Sequence, residues 1–499
     1  MDDKTARNAP LDMSADEFRK AGHELVDRIA GLLDWLHDRA NPVTRAEGPA
    51  EIRRLLGTGA LPREGKPAGE LLDAAATLLF EHSLFNGHPR FWGYITSPAA
   101  PVGILGDFLA SAVNANVGAY DLSPVATEIE RQTIRWIAEL LGYPATCGGL
   151  LVSGGNMANF VCFLAARKAK IPWDVRARGG ADPRSALIRI YCSSETHTWI
   201  NKAADLFGTG HESLTRIPAG EDQRMRAEDL RDAIERDMQK GRIPLIVVGA
   251  AGTVSTGATD PLEAIAGICR EHNLWFHVDG AYGGFAACLP EATRDLKALA
   301  LADSVAVDPH KWLYAPLEAG CALVRNGQAL IDAFSYHPEY YKFDEHAAEG
   351  AINFYELGPQ NSRSFRALKV WLALRQAGRS GYETMIRDDC ALAAELFRSL
   401  ERYPDIEPLA GNLSIATFRY APRRLRTPEN EEYLNALNTE ILVRLQSGGK
   451  VYPSNALVNG KYAIRVCIVN FRTTQEDLMV LPELVVRTGK EAELVLGKG

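Results

Sequence analysis

Residues 244–284 read PLIVVGAAGTVSTGATDPLEAIAGICREHNLWFHVDGAYGG. Two short apolar runs, Pro244–Gly249 and Leu274–Val278, flank an amphipathic stretch, Pro261–His272. Short runs without polar interruption fit strands buried on both faces, and helical spacing between them predicts a helix. A strand, a helix and a strand in succession imply parallel pairing in one sheet. Working outward, Leu187–Tyr191 and Ser304–Val307 repeat the strand pattern, and Met157–Lys168 repeats the helical one. The expectation is a large α/β domain over residues 96–390, with a mostly parallel central sheet covered on both faces.

Toward the N-terminus, Ser14 and Glu17 form a capping-box pattern, with Met13 and Phe18 placed for a hydrophobic staple. Leu25, Ile29, Leu32 and Leu36, widened by Val26 and Leu33, give the following helix an apolar stripe. Gly and Pro interrupt at 57–68, and a second helix is expected from about Gly69 to His82. Residues 1–95 are therefore expected to be a helical layer whose stripe needs a partner, such as a second copy of the chain. Toward the C-terminus, a helix Ala391–Leu400, a strand Leu413–Arg419, a helix Pro428–Ser447 and a strand Tyr462–Val469 predict a small α+β domain over 391–499.

The chain of 499 residues carries 55 Lys+Arg against 63 Asp+Glu, a net charge of −8, with 46% hydrophobic residues. That composition is globular. The negative balance argues against a nucleic-acid partner, and no apolar stretch approaches the ~20 residues that span a bilayer. The opening MDDKTARNAP lacks the apolar segment of a signal peptide. Eight cysteines are scattered singly without a CxxC pair, a usage that suits free thiols in a reducing, cytoplasmic setting. No HExxH, GxSxG, GxGxxG or Walker A pattern occurs, so no metal site, hydrolase elbow or nucleotide fold is expected.

Four segments carry chemistry at the expected strand ends. Asp308-Pro309-His310-Lys311-Trp312 places a lysine just past a strand, where partial desolvation frees the amine for Schiff-base chemistry. In HVDGAYGG, residues 277–284, Asp279 is a carboxylate suited to hold a pyridine nitrogen protonated, and the small residues beside it leave room for a flat ring. Leu151–Asn159 is a glycine turn running into a helix, whose N-terminus attracts phosphate. His197 follows the strand Leu187–Tyr191, placed to stack on a planar cofactor. Taken singly, each also reads as a surface lysine, a turn former, a flexible loop or a structural histidine.

Together these segments resemble the pyridoxal-phosphate-dependent group II decarboxylases, in particular the aromatic L-amino acid decarboxylases. The resemblance also includes Glu17-Phe18-Arg19-Lys20-Ala21-Gly22, His88-Pro89-Arg90-Phe91 with Tyr94, Ser123-Pro124 with Thr127-Glu128, and Ile464-Arg465, so it spans nearly the whole chain. It implies the aspartate-aminotransferase-like fold (PLP fold type I), pyridoxal 5'-phosphate as cofactor, an L-amino acid as substrate, and a homodimer with active sites at the interface. By position, Lys311 would bind the cofactor covalently and Asp279 would pair with its pyridinium nitrogen. His197 and Ala281 would pack on the two ring faces. Gly154, Gly155 and Asn156 would hold the phosphate, with His310 close by. Relatives often have serine or threonine where Asn156 stands. Thr253 falls where the family places a hydroxyl near the cofactor, and Ser97 where it places a substrate-contacting threonine, with Thr96 as the alternative.

The implied reaction is decarboxylation of an aromatic L-amino acid (tyrosine, phenylalanine, dihydroxyphenylalanine or tryptophan) to the amine and CO₂. The family's decarboxylases carry a tyrosine, after the lysine, that returns a proton to Cα. Gapless counting back from Phe365-Arg366-Ala367-Leu368-Lys369 puts Phe354 at that position, and a one-residue shift puts Tyr355 there. Tyrosine implies plain decarboxylation; phenylalanine implies oxidative release of an aldehyde. Ser414 aligns with a small residue of the side-chain pocket and hints at tyrosine, phenylalanine or dihydroxyphenylalanine, while Phe91 and Trp92 offer an aromatic wall or core. An acidic substrate is a further alternative, and Arg465 keeps an aminotransferase in view. The set Lys311, Asp279 and His197 argues against a non-catalytic binding protein.

Overall fold

The computed structural model describes residues 9–336 and 349–497. Its larger sheet has seven strands: β1 (Gly148–Val152), β2 (Ile188–Ser193), β3 (Leu214–Ile217), β4 (Ile243–Ala250), β5 (Trp275–Asp279), β6 (Ser304–Val307) and β7 (Gly320–Val324). They lie in the order β1-β7-β6-β5-β4-β2-β3. The pairings from β6 through β5, β4 and β2 to β3 are parallel, whereas β7 runs antiparallel to both β1 and β6. All strands except β7 therefore point one way, and their carboxyl ends share one edge.

Side chains on both faces of the central strands are buried, as Leu245, Ile246, Val247 and Val248 of β4 illustrate. The helices Gly155–Lys170 and Leu262–Glu271 occupy the expected amphipathic stretches and pack on this sheet. Within β5, His277 is the polar exception. It is fully buried, with Nε2 2.7 Å from Asn159 Oδ1 and Nδ1 2.9 Å from Ser304 Oγ. Burial pushes its pKa down to about 4, so the imidazole is neutral at pH 7.

The second sheet is antiparallel, in the order β10-β11-β9-β8: β8 (Ile406–Asn412), β9 (Ile415–Tyr420), β10 (Ser454–Val458) and β11 (Lys461–Cys467). Leu413, expected inside a strand, instead turns the β8–β9 hairpin with φ +50°. The expected helix Ala391–Leu400 is the tail of a longer one, Ala367–Ser399, interrupted at Gly378 (φ 64°, ψ 174°). The boundary expected near residue 390 thus falls within that helix.

At the N-terminus the capping box forms as read: Ser14 N–H donates to Glu17 Oε2 at 2.8 Å, and Glu17 N–H to Ser14 Oγ at 3.2 Å. It starts the helix Ala15–His37, which packs on the helix Ala68–His82. Phe18 stacks 6.3 Å from Phe108 of the helix Pro101–Val113. Of the Ala15–His37 stripe only Leu36 is buried, and Leu71, Leu79, Leu105, Phe108, Leu109 and Val113 are exposed. Among the described residues no helix is long and apolar enough to cross a membrane.

Candidate active site

The carboxyl ends of β1, β2, β4, β5 and β6 open onto one cavity of about 550 Å³, the edge where open α/β sheets bind ligands. Gly154, Gly155, Asn156, His197, Thr253, Asp279, Ala281, His310 and Lys311 all line it. They come from the ends of five strands, β1, β2, β4, β5 and β6, so a sequence span from 154 to 311 collapses into one pocket.

β1 feeds a turn that only glycine fits. Gly154 has φ +99°, and a methyl at Gly155 would meet Asp308 Oδ2 at 2.6 Å and Ala281 Cβ at 3.2 Å. No side chain caps the helix that starts at Gly155, which leaves its first N–H groups for an anion. After β2, the His197 Nδ1 accepts from the Trp199 N–H at 3.3 Å. The pocket walls desolvate this ring and lower its pKa, with Asp279 pulling it up and Lys311 pushing it further down.

β5 ends in Asp279, whose carboxylate is fixed by two donors: Trp199 Nε1 at 2.7 Å to Oδ2 and the Ala281 N–H at 3.1 Å to Oδ1. β6 ends in Asp308. Its Oδ2 lies 3.0 Å from Lys311 Nζ and 3.8 Å from His310 Nε2, and its buried Oδ1 has no hydrogen-bond partner among the described residues. The His310 Nδ1 lies 2.7 Å from the Ala319 carbonyl, and burial lowers this imidazole's pKa. Thr253 Oγ1 shares a hydrogen bond with Thr256 Oγ1 at 3.1 Å.

Four other expected residues sit off this cavity within the chain. Ser97 is buried and its hydroxyl donates to the His310 carbonyl at 2.8 Å, while Thr96 lines the cavity. Ser414 is buried behind Tyr282, with its Oγ 2.7 Å from the tyrosine hydroxyl. Phe354 lies 4.7 Å beneath the Arg363 guanidinium and lines a separate open cavity of about 860 Å³. Tyr355 is buried and donates its N–H to the Gly118 carbonyl at 3.0 Å. The Phe354 cavity is the larger, but the charged and titratable groups suited to catalysis converge on the other. Phe91 and Trp92 are core residues, buried at 2% and 0% exposure.

Sequence reading missed Trp199 and Asp308. Trp199 follows His197 by two residues and orients Asp279; Asp308 opens the lysine motif but passes there for part of a polar cluster. Arg465 also lines the cavity, its guanidinium bonded to Ser454 Oγ and the Val254 carbonyl.

This arrangement fits pyridoxal phosphate: a glycine cradle at an uncapped helix start, an oriented carboxylate, and a lysine share one pocket with an orphaned buried carboxylate oxygen. The comparisons agree. The model of the pyridoxal-dependent decarboxylase conserved domain matches residues 49–419. An aromatic-L-amino-acid decarboxylase of Bacillus atrophaeus is 33% identical over 97% of this chain and 98% of its own length. A phenylacetaldehyde synthase of Petunia hybrida is 30% identical over 91% of each chain. The structure of Oryza sativa TDC with PLP and tryptamine superposes with a TM-score of 0.88 at 27% identity, covering 97% of this chain and 99% of that one. The chain belongs to the pyridoxal-dependent decarboxylase family and is a PLP-dependent amino acid decarboxylase of the PLP fold type I.

Proposed function

We propose that the chain decarboxylates an aromatic L-amino acid to the amine and CO₂. The observation that carries this reading is the convergence of Lys311, Asp279 and His197 on one pocket. Bound pyridoxal phosphate supplies an electron sink for the pair left when a bond at the substrate Cα breaks. Asp279, with both oxygens already oriented by donors, holds the pyridine nitrogen protonated. The turn at Gly154, Gly155 and Asn156 binds the phosphate through N–H groups, and His310 adds a polar side chain beside it. Ala281 and His197 confine the ring between them. Lys311 carries the cofactor and moves protons at its Nζ. Thr253 supports the ring from the β4 turn, and Thr96 is better placed than Ser97 to meet the substrate.

The aromatic preference is supported by the relatives' names and by Tyr94 and Tyr282 in the cavity wall. Ser414 serves the pocket through Tyr282. A homodimer formed by residues 1–95 and the helix Pro101–Val113 would cover the exposed apolar faces. It also accounts for Tyr355, the proton donor in this reading, lying off the pocket of its own chain. Eight unpaired cysteines suit a reducing cytoplasm.

A second reading, an aldehyde synthase, is favoured by Phe354 at the gapless position and by the Petunia relative. The test is one assay of CO₂, amine, aldehyde and peroxide on a panel of aromatic and acidic L-amino acids. Equal CO₂ and amine from an aromatic substrate is the expected result. Tyr355→Phe should then cut amine output about 100-fold. Aldehyde with peroxide from the unaltered chain, insensitive to Tyr355→Phe, would establish the synthase instead.

A further inference from the structure

Behind the pocket lies a buried carboxylate that the mechanism above does not use. Asp389, on the helix Ala367–Ser399, is 2% exposed. Its Oδ2 accepts from Trp312 Nε1 at 2.8 Å and from the Tyr314 hydroxyl at 2.7 Å. Both donors flank the same short turn, one and three residues after Lys311. Tyr314 holds φ +55°, a conformation that a side chain larger than glycine keeps only when its surroundings hold it. The nearby Asn470 N–H of the C-terminal domain also favours the charged form of this carboxylate.

The contacts continue to the other cofactor strand. Trp312 stacks on Tyr282 with ring centroids 5.0 Å apart and an interplanar angle of 16°. Tyr282 lies three residues past Asp279, lines the pocket, and is held from the far side by Ser414. Trp312, Tyr314, Tyr282 and Ser414 are all at most 2% exposed. One carboxylate therefore stands behind the turns that present Lys311 and Asp279. Burial pushes its carboxyl up to about 7, against the pull of the Tyr314, Trp312 and Asn470 donors.

We infer that Asp389 is a positioning residue for the decarboxylation site: it fixes the Lys311 turn through Trp312 and Tyr314, and the Asp279 turn through the Trp312–Tyr282 stack. The inference rests on Lys311 being the cofactor-binding lysine. Both terminal groups of the chain of contacts, Lys311 Nζ and the Asp279 carboxylate, need sub-ångström placement, and misplacement of about 1 Å costs on the order of 100-fold in rate.

The experiment compares Asp389→Ala, Asp389→Asn, Trp312→Phe and Tyr314→Phe as holoenzymes. It measures the visible spectrum of the lysine-bound cofactor, pyridoxal phosphate affinity, kcat and KM. Asp389→Ala should lower kcat about 10- to 100-fold with KM within about 3-fold, shift the spectrum and weaken cofactor binding. Trp312→Phe, which keeps the stack but loses the N–H, should show a smaller change of the same kind, and Asp389→Asn should recover part of the loss. In the Asp389→Ala/Trp312→Phe double variant the effects should not multiply. A lower melting temperature with unchanged spectrum, affinity and kcat would reduce Asp389 to a packing residue and overturn the inference. If Asp389→Ala does not fold, unchanged spectrum and affinity in both Trp312→Phe and Tyr314→Phe overturn it equally. Lys311→Ala separates the two levels: a wild-type spectrum there would defeat the site reading itself.

Discussion

Two cavities of this chain differ in what lines them. The Lys311 pocket is assembled from short turns at parallel strand ends, and its key atoms already have partners: Asp279 on Trp199 and Ala281, Lys311 on Asp308. The Phe354 cavity is larger, lined by Tyr120, Glu128, Arg131 and Ile352 among others, with Arg363 packed on Phe354. Close packing dictates glycine in both: a methyl at Gly155 would meet Asp308 Oδ2 at 2.6 Å, and methyls at Gly148 and Gly149 of the second cavity would meet Gly327 Cα at 2.5 Å and the Ala322 carbonyl oxygen at 2.6 Å. What separates the two is the partnering of their polar groups: Lys311, Asp279 and Asp308, with fixed partners, line the first cavity alone.

The comparison breaks most sharply at Asp279. Asp279→Asn retains an acceptor for Trp199 but loses the charge, and should lower kcat by about 10²–10³-fold while the apo fold keeps its circular dichroism. Equal activity would mean that the pocket's best-ordered carboxylate is idle. The proposed pairing of two chains is probed by Leu109→Glu, a charge placed on the exposed apolar face of the helix Pro101–Val113. Native mass measurement should show a dimer weakened about 100-fold or more, with activity lost in parallel. A monomeric wild type would remove the reason for the bare faces.

Gly155→Ala comes next. Its Cβ would force Asp308 or Ala281 aside, so cofactor affinity should fall about 10-fold and melting should shift by the equivalent of about 1–3 kcal/mol. The smallest effect belongs to His277. Its folded pKa of about 4 lies below the unfolded ~6.5, so between those values the unfolded chain binds a proton that the fold refuses. Stability must fall as pH drops through that window, by up to about 1.4 kcal/mol per pH unit from this group. His277→Gln should flatten that acid arm of a melting-versus-pH series, whatever it costs at pH 7.

Most of the α/β core was legible because β4, β5 and β6 are short, predominantly apolar runs. β1, β3 and β7 were not, since Gly148-Gly149, Thr215-Arg216 and the Gly320 start of β7, just past Pro316, carry weak strand signals. The nine pocket residues lie where the motifs put them, because each motif follows a strand directly. Ser97, Ser414, Phe354 and Tyr355 do not line that pocket within the chain. Their neighbours are set by tertiary contacts such as the Ser414–Tyr282 pair, which no local pattern encodes. Trp199 escaped for the same reason: its value lies in a bond to a residue eighty positions away.

The reversed strand β7 has a consequence for biosynthesis. It is the strip that fastens β1 to β6, and Gly320 lies so close to Gly154 that a methyl there would meet the Gly154 carbonyl carbon at 2.5 Å. The turn near residue 154 thus packs against its neighbour only after residue 324 has left the ribosome. A nascent chain halted earlier has no closed anion cradle, whatever strands it has already paired. Closure of the turn at residue 154 therefore waits on a strand about 165 residues further along the chain, and it coincides with completion of the large sheet.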